Sequence, residues 1–175
     1  MPTPPAGMQM WQGQVEVGGC VSPPIKTVSS TASRSLESAT FNATALSWNG
    51  SGTYVVEVYI PSDWSIPSDI EVLSQGSSKP LIITLQGNAK IVSGVTITSS
   101  NQLTKGAVNK IAVSFSTSAT YLCMNGGNVS SDGASTLSGL SGNMSLSAFN
   151  GYIRSISYYY SAMTEMQLQN LSSVF

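Results

Sequence analysis

The sequence predicts an all-β protein, an antiparallel β-sandwich with one short helix near its C-terminus. From Arg34 onward, short runs rich in β-branched and aromatic residues recur between Gly, Pro, Asn and Ser turns, which is typical of a sandwich or barrel rather than of an α/β fold. The clearest run is GTYVVEVYI, residues 52–60, which alternates with the period of a strand. The face predicted to be buried carries Tyr54, Val56, Val58 and Ile60.

The other predicted strands are spaced regularly along the chain. NKIAVSFS, residues 109–116, alternates strictly, which predicts Ile111, Val113 and Phe115 inward and Ala112, Ser114 and Ser116 outward. Residues 120–131 form a predicted hairpin around Asn125-Gly126, the strongest short-range hairpin signal. The remaining predicted strands are residues 39–48, 70–75, 81–87, 90–99 and 144–149.

The segment Phe149–Ser173 is predicted to close the sheet. It begins with an Asn150-Gly151 turn and continues with a strand over Tyr152–Tyr160 that ends in three tyrosines. Thr164 followed three residues later by Gln167 fits a capping box, so a helix is predicted to begin there. Helical spacing predicts that the inward side chains are Met163, Met166 and Leu171.

Residues 1–33 differ from the predicted sandwich domain, residues 34–175. Prolines dominate the first residues, and Pro23 and Pro24 exclude a helix or an interior strand in the connector that follows. Trp11 lies in a short alternating stretch between these two parts and could anchor it. Two interpretations remain open: an extended arm that lies across the domain surface, or an arm that docks the domain onto a larger assembly.

The charge composition argues against several partners. Charged residues make up 9% of the chain, with seven Lys and Arg against eight Asp and Glu, so no basic surface for nucleic acid or an anionic membrane is expected. No run approaches the length of a membrane-spanning helix, and the N-terminus lacks the pattern of a signal peptide. Cys20 and Cys123 would allow either one long-range disulfide or two separate thiols.

The residues that most enzymes use are missing or dispersed. The chain has no histidine, which excludes histidine-based nucleophilic triads and histidine zinc sites, and we expect no cofactor and no metal. Only Asp69 and Glu71 are acidic residues at alternate positions, and they lie at a loop-to-strand edge beside Pro67, which argues against a retaining polysaccharide hydrolase. Asp63, Asp69 and Asp132 lie in predicted loops and are interpreted as solvated turn residues rather than calcium ligands.

Aromatic residues are the remaining candidates for a binding site, because their rings can stack on sugars. Trp64 lies in a polar loop beside Asp63 and is the best candidate for an exposed glycan or partner contact. Trp48 is a further candidate at the end of a predicted strand. Tyr158 and Tyr160 are interpreted mainly as packing residues of the closing strand.

Three segments in order carry a resemblance to a known family: residues 34–60, residues 109–131 and residues 149–171. The shared features are Gly52-Thr53 before the first long strand, the Asn125-Gly126 turn after an IAVSF strand, and Gly151-Tyr152-Ile153-Arg154 followed by Tyr158-Tyr159 and a Thr-capped helix. The chain resembles the concanavalin A-like, laminin G-type jelly-roll domains of bacteriophage virion and tail-fibre proteins. WQGQVEVGG and the Pro-Thr-rich connector resemble the segment that precedes this domain in such proteins.

The resemblance implies a non-enzymatic bacteriophage virion surface protein, either a capsid decoration or another directly docked structural subunit. On this hypothesis the arm around Trp11, Pro23 and Pro24 contacts other virion proteins, and the domain forms a homo-oligomer. The alternative is a domain of a tail fibre or spike that binds host-receptor glycans. The absence of heptads and long repeats, which fibre shafts use, favours the docked subunit.

Overall fold

The structure is a computed structural model that describes residues 39–43, 50–63, 65–133, 137, 142–146 and 151–174. These residues form two antiparallel sheets and one helix. The arm, residues 1–33, lies outside them, as do residues 44–48 of the first predicted strand. The elements are β1 (Ala39–Asn42), β2 (Gly52–Tyr59), β3 (Ile70–Gln75), β4 (Ser78–Ile83), β5 (Asn88–Val92), β6 (Thr96–Gln102), β7 (Val108–Phe115), β8 (Thr120–Met124), β9 (Ser130–Asp132), β10 (Asn143–Leu146), β11 (Tyr152–Tyr159) and α1 (Glu165–Ser172).

The two sheets have different strand orders. One contains six strands in the order β1-β10-β3-β4-β5-β6, and the other contains five in the order β11-β2-β7-β8-β9. Strands β1 and β11 therefore each lie at one edge of their sheet. Both edges are made by pairs that are distant in sequence, β1 with β10 and β11 with β2. The predicted antiparallel β-sandwich with a short C-terminal helix is confirmed.

The core lies between the two sheets, and the alternation of β2 is confirmed. Tyr54, Val56 and Val58 are fully buried on its inner face. They belong to one buried cluster with inner residues of both sheets, including Leu81 and Ile111. Burial of one face of a strand against a second sheet is the main stabilising term that this alternating pattern provides.

The outer face of the five-stranded sheet is also partly covered, which the alternation did not predict. Ala112 and Ser114 point outward on β7, yet both are fully buried, because α1 packs on β7 and β8. The Ser114 hydroxyl accepts a hydrogen bond from the Met163 amide at 2.8 Å and donates one to the Met163 carbonyl at 3.0 Å. These bonds satisfy a polar side chain that would otherwise be buried without a partner.

Helix α1 begins as predicted, but its buried face differs. The Thr164 hydroxyl accepts from the Gln167 amide and the Gln167 side chain accepts from the Thr164 amide, so the capping box is confirmed. The prediction that Met166 points inward is wrong, since 73% of it is exposed. Leu168 and Ser172 are the fully buried residues of the helix, and Leu168 packs in a small cluster on the outer face of the sheet with Val55, Ala112 and Cys123.

Two predicted strands have different boundaries. Residues 90–99 are divided between β5 and β6 by a turn in which Gly94 has φ of 73°, a conformation that glycine adopts without strain. Strand β4 begins earlier than predicted, at Ser78, and includes Pro80. Proline cannot donate to the ladder. The register accordingly shifts on both sides of Pro80, and its carbonyl accepts a 2.7 Å bond from the buried Tyr54 hydroxyl.

The predicted hairpin is confirmed. Asn125 and Gly126 both have positive φ, at 53° and 68°, as a two-residue primed turn requires. The Asn125 side chain accepts a bond from the Lys110 amide at 2.9 Å and donates one to the Asn109 side chain at 2.8 Å. The turn after β8 is thereby attached to β7.

Candidate functional site

A groove opens at one side of the sandwich, where the edge strand of each sheet lies. Its volume is about 350 Å³, and it is lined by Phe41 of β1, Ile156 and Tyr158 of β11, and Tyr160 just after β11. Both sheets therefore contribute to it. We call these four residues the seam groove.

The register of β11 explains why these side chains meet there. Ile156 pairs with Val56 and Tyr158 pairs with Tyr54, so both β11 residues lie on the core side of the sheet. Strand β11 is an edge strand, so they are only partly buried while packing against the core. A sandwich whose edge strands carry large apolar residues leaves their outer parts accessible at the seam.

The two tyrosines of the groove are held at a right angle. Their ring centroids are 5.2 Å apart with an interplanar angle of 87°, an edge-to-face arrangement that aromatic rings favour. The Tyr158 hydroxyl donates to the Ser51 carbonyl at 3.4 Å. Burial raises the pKa of the Tyr158 hydroxyl, and the neighbouring Tyr160 hydroxyl raises it further. Tyr160 itself is 69% exposed.

Among the residues that the structure describes, those that line the seam groove carry no charge. Arg154 of β11 contacts Glu57, with 3.8 Å between its Nε and the Glu57 carboxylate. Lys110 lies 3.6 Å from the same carboxylate. Because Glu57 is on the outer face of β2, these charges belong to the outside of the five-stranded sheet.

A second exposed aromatic pair lies on that outer face. Tyr59 and Tyr152 are cross-strand partners, and their rings are stacked with centroids 4.9 Å apart. Tyr152 is 49% exposed. This pair lies on the same outer face of the sheet as Glu57.

Of the predicted glycan or partner contacts, only Asp63 lies among the described residues. It is exposed, in a turn after β2. Trp64 and Trp48 lie outside the described residues, as do Trp11, Pro23 and Pro24 of the predicted docking arm. Their proposed roles stay predictions.

The acidic residues considered as calcium ligands are separate from one another. Asp69 accepts a 2.9 Å bond from the Leu85 amide, a local role in joining two loops. Asp132 was predicted to lie in a loop, but it lies in β9 and pairs with Thr120. In the part of the chain that the structure describes, no group of three or more metal-binding side chains lies together.

Cys123 is a free thiol buried beneath α1. Burial raises its pKa, against the lowering effect of hydrogen bonds that include one from the Ser172 hydroxyl at 3.2 Å. Cys20 lies outside the described residues. The position of Cys123 under the helix fits a packing role.

The seam groove was only partly foreseen. Tyr158 does pack against the core, as interpreted from the sequence. Tyr160 does not, because β11 ends at Tyr159 and the next side chain leaves the sheet. The alternation places Tyr158 and Tyr160 on one face, but only the strand order reveals that this face lies at an open edge.

Comparison with known proteins supports the fold. Neither a protein-family model nor a curated protein matches the sequence. Among solved structures, a Bacteroides ovatus protein to which carbohydrate binding is ascribed aligns with a TM-score of 0.52 and 18% identity, over 72% of this chain and 42% of that one. Trypanosoma rangeli sialidase aligns with a TM-score of 0.51 and 12% identity, over 71% of this chain and 23% of that one. A Limulus polyphemus SAP-like pentraxin aligns with a TM-score of 0.48 and 9% identity, over 70% of each chain.

The likenesses to the Bacteroides protein and to the sialidase concern architecture. This chain spans less than half the length of the sialidase and of the Bacteroides protein. At such identities a shared fold does not carry function with it. The chain has a lectin-like, concanavalin A-like β-sandwich fold, which confirms that part of the family resemblance. Its bacteriophage origin stays a prediction. None of the described helices has the length and hydropathy needed to span a membrane.

Proposed function

We propose that this chain is a non-enzymatic surface protein of a bacteriophage virion, either a capsid decoration or another directly docked subunit. The observation that carries the proposal is the ordered set of family motifs, placed on a lectin-like sandwich. Gly52-Thr53 opens β2, Asn125-Gly126 turns after β8, and Gly151 immediately precedes β11. On this proposal residues 1–33 attach the sandwich to other virion proteins.

The attachment test uses particles and two forms of the protein. A chain that lacks residues 1–30 should be absent from purified particles. Circular dichroism should show that this truncated chain is still folded. A truncated chain that still co-purifies with particles would contradict docking through the arm. The number of copies per particle, from quantitative mass spectrometry, then separates the locations. Hundreds of copies indicate the capsid and a few indicate the tail.

The proposal that the chain is not an enzyme is tested with host polysaccharide. Among the described residues, no three or more His, Cys, Asp or Glu side chains lie close enough together to form a metal site. Incubation with purified host polysaccharide should release no new reducing ends above a heat-inactivated sample. Release that increases with protein concentration would show an enzyme.

A second candidate function is recognition of a glycan on the host surface, as in a receptor-binding domain. The seam groove favours it, because two tyrosines form an accessible concave site on a lectin-like fold. Aromatic rings with polar tips are suited to sugars, which have apolar faces and hydroxyl edges. A glycan array tests this candidate. A hit weakened by Trp64→Ala would place the contact in the loop near Asp63. A blank array would contradict glycan binding and favour the structural role.

A further inference from the structure

We propose that the seam groove binds a neutral hexopyranose unit of a glycan, with the sugar ring stacked on Tyr160. This inference rests on the second candidate function and specifies both its site and its ligand class. It places the ligand away from the loop around Asp63, at the edge of the sandwich where β1 and β11 lie.

The size of the groove limits the ligand. About 350 Å³ lies near the lower end of the range for small-molecule sites, roughly 300 to 1,000 Å³. Such a volume accommodates one or two sugar rings rather than a long branched chain. Because the groove is open to solvent on one side, the rest of a glycan can extend away from the protein.

The chemistry of the lining fits a pyranose. Phe41 and Ile156 provide an apolar floor, and Tyr160 adds a ring that is 69% exposed. Tyr158 meets Tyr160 edge to face, so the two rings form two walls at a right angle. The C–H face of a pyranose can then pack on one ring, while its hydroxyls reach solvent and the phenol oxygens.

The described residues that line the seam groove are uncharged, and this determines which sugars are favoured. A sugar carboxylate enclosed in a groove loses hydration, and it is stabilised only by a nearby cation or by several hydrogen-bond donors. The one cation of β11, Arg154, contacts Glu57 on the outer face of the sheet. The described residues of the seam groove therefore offer no counter-charge to a sialic or uronic acid, and neutral hexoses should bind more tightly.

The test is a titration of the purified protein, followed by NMR or calorimetry. The probes are glucose, galactose, N-acetylglucosamine and their disaccharides, with sialic acid and glucuronic acid as charged counterparts. At least one neutral sugar should bind, and the charged sugars should bind about tenfold more weakly or not at all. Tyr160→Ala should weaken the neutral sugar about tenfold, the size expected when one aromatic contact is lost.

Tyr152→Ala is the matched control. It also removes an exposed tyrosine, but on the outer face against Tyr59, so it should leave binding unchanged. Tyr160 is exposed, so its removal should not lower the melting temperature. Phe41→Ala is a second variant, which alters the apolar floor of the same groove.

Each outcome bears on a separate claim. If neutral sugars bind and Tyr152→Ala weakens them while Tyr160→Ala does not, the seam groove is the wrong site although glycan recognition stands. Equal affinity for charged and neutral sugars overturns the ligand class. If no probe binds, both this inference and the glycan candidate fail, and the virion role is unaffected.

Discussion

At the scale of single residues, Gly52 shows how closely the seam is packed. It is the first residue of β2, and a Cβ placed on it would meet the Tyr158 ring, with the ζ carbon at 2.9 Å and the hydroxyl closer still. A glycine is needed here because the Tyr158 ring lies against its Cα, and not because the backbone has an unusual conformation. The family resemblance included this glycine, and the structure gives the physical reason for it.

Gly52→Ala should therefore move Tyr158 and lower the free energy of unfolding by about 1–3 kcal/mol, the usual effect of overpacking. Chemical denaturation measures the change. Gly133→Ala is the control, because no described residue lies within 4 Å of its added Cβ, and it should change stability by less than about 0.5 kcal/mol. Equal effects at both positions would contradict the contact with Tyr158.

At the scale of elements, the contrast between Leu168 and Met166 defines how α1 is held. Leu168→Ala should destabilise the protein by about 2–5 kcal/mol, because it leaves a cavity between the helix and the outer face of the sheet. Met166→Ala should change stability by less than about 0.5 kcal/mol, since that side chain is mostly exposed. Thermal unfolding of the two variants gives the comparison, and a larger effect at Met166 would show the opposite helix face to be buried.

The capping box of α1 gives a second prediction at this scale. Thr164→Ala removes the acceptor for the Gln167 amide and should reduce stability by about 1 kcal/mol. Thr164→Ser keeps the hydroxyl and should retain most of that stability. Denaturant titration distinguishes them, and a serine variant as weak as the alanine variant would assign the effect to the lost methyl group.

The sequence predicted elements better than it predicted what covers them. The alternation of β2 and the N-terminal capping box of α1 are local signals, so both could be predicted from the sequence. The burial of Ala112 and Ser114 depends on a helix far away in sequence, and no local period can encode that. The seam groove depends on which strands lie at the sheet edges. The sequence therefore pointed to Tyr158 and Tyr160 as aromatic candidates but did not predict the groove that they line.

At the scale of the whole molecule, two buried acidic groups predict how stability depends on pH. Burial raises the pKa of the Tyr54 hydroxyl and of the Cys123 thiol above their ordinary values of 10.0 and 9.0. Above those ordinary values the unfolded chain loses these protons while the folded chain keeps them. The unfolded state is then favoured, so this stabilisation is complete below about pH 9 and is lost progressively as the pH rises.

Urea denaturation at about pH 7 and about pH 10.5 should show a lower free energy of unfolding at the higher pH. Tyr54→Phe removes one of the two groups, so its stability should fall less between the two conditions. It should also be less stable at neutral pH, because the Pro80 carbonyl loses its buried donor. An unchanged difference between the two pH values would contradict the assignment to Tyr54.

The pairing of β2 with β11 has a consequence for synthesis of the protein. Strand β2 lies near the start of the described chain, yet one of its two neighbours, β11, is made about a hundred residues later. Strand β1 likewise pairs with β10, which is synthesised much later. During translation both early strands expose hydrogen-bonding edges that only the last part of the chain covers, and proteins dominated by such long-range pairs fold slowly. A nascent chain stalled before Tyr152 should therefore be degraded or captured by chaperones, whereas one extended past Ser172 should resist protease.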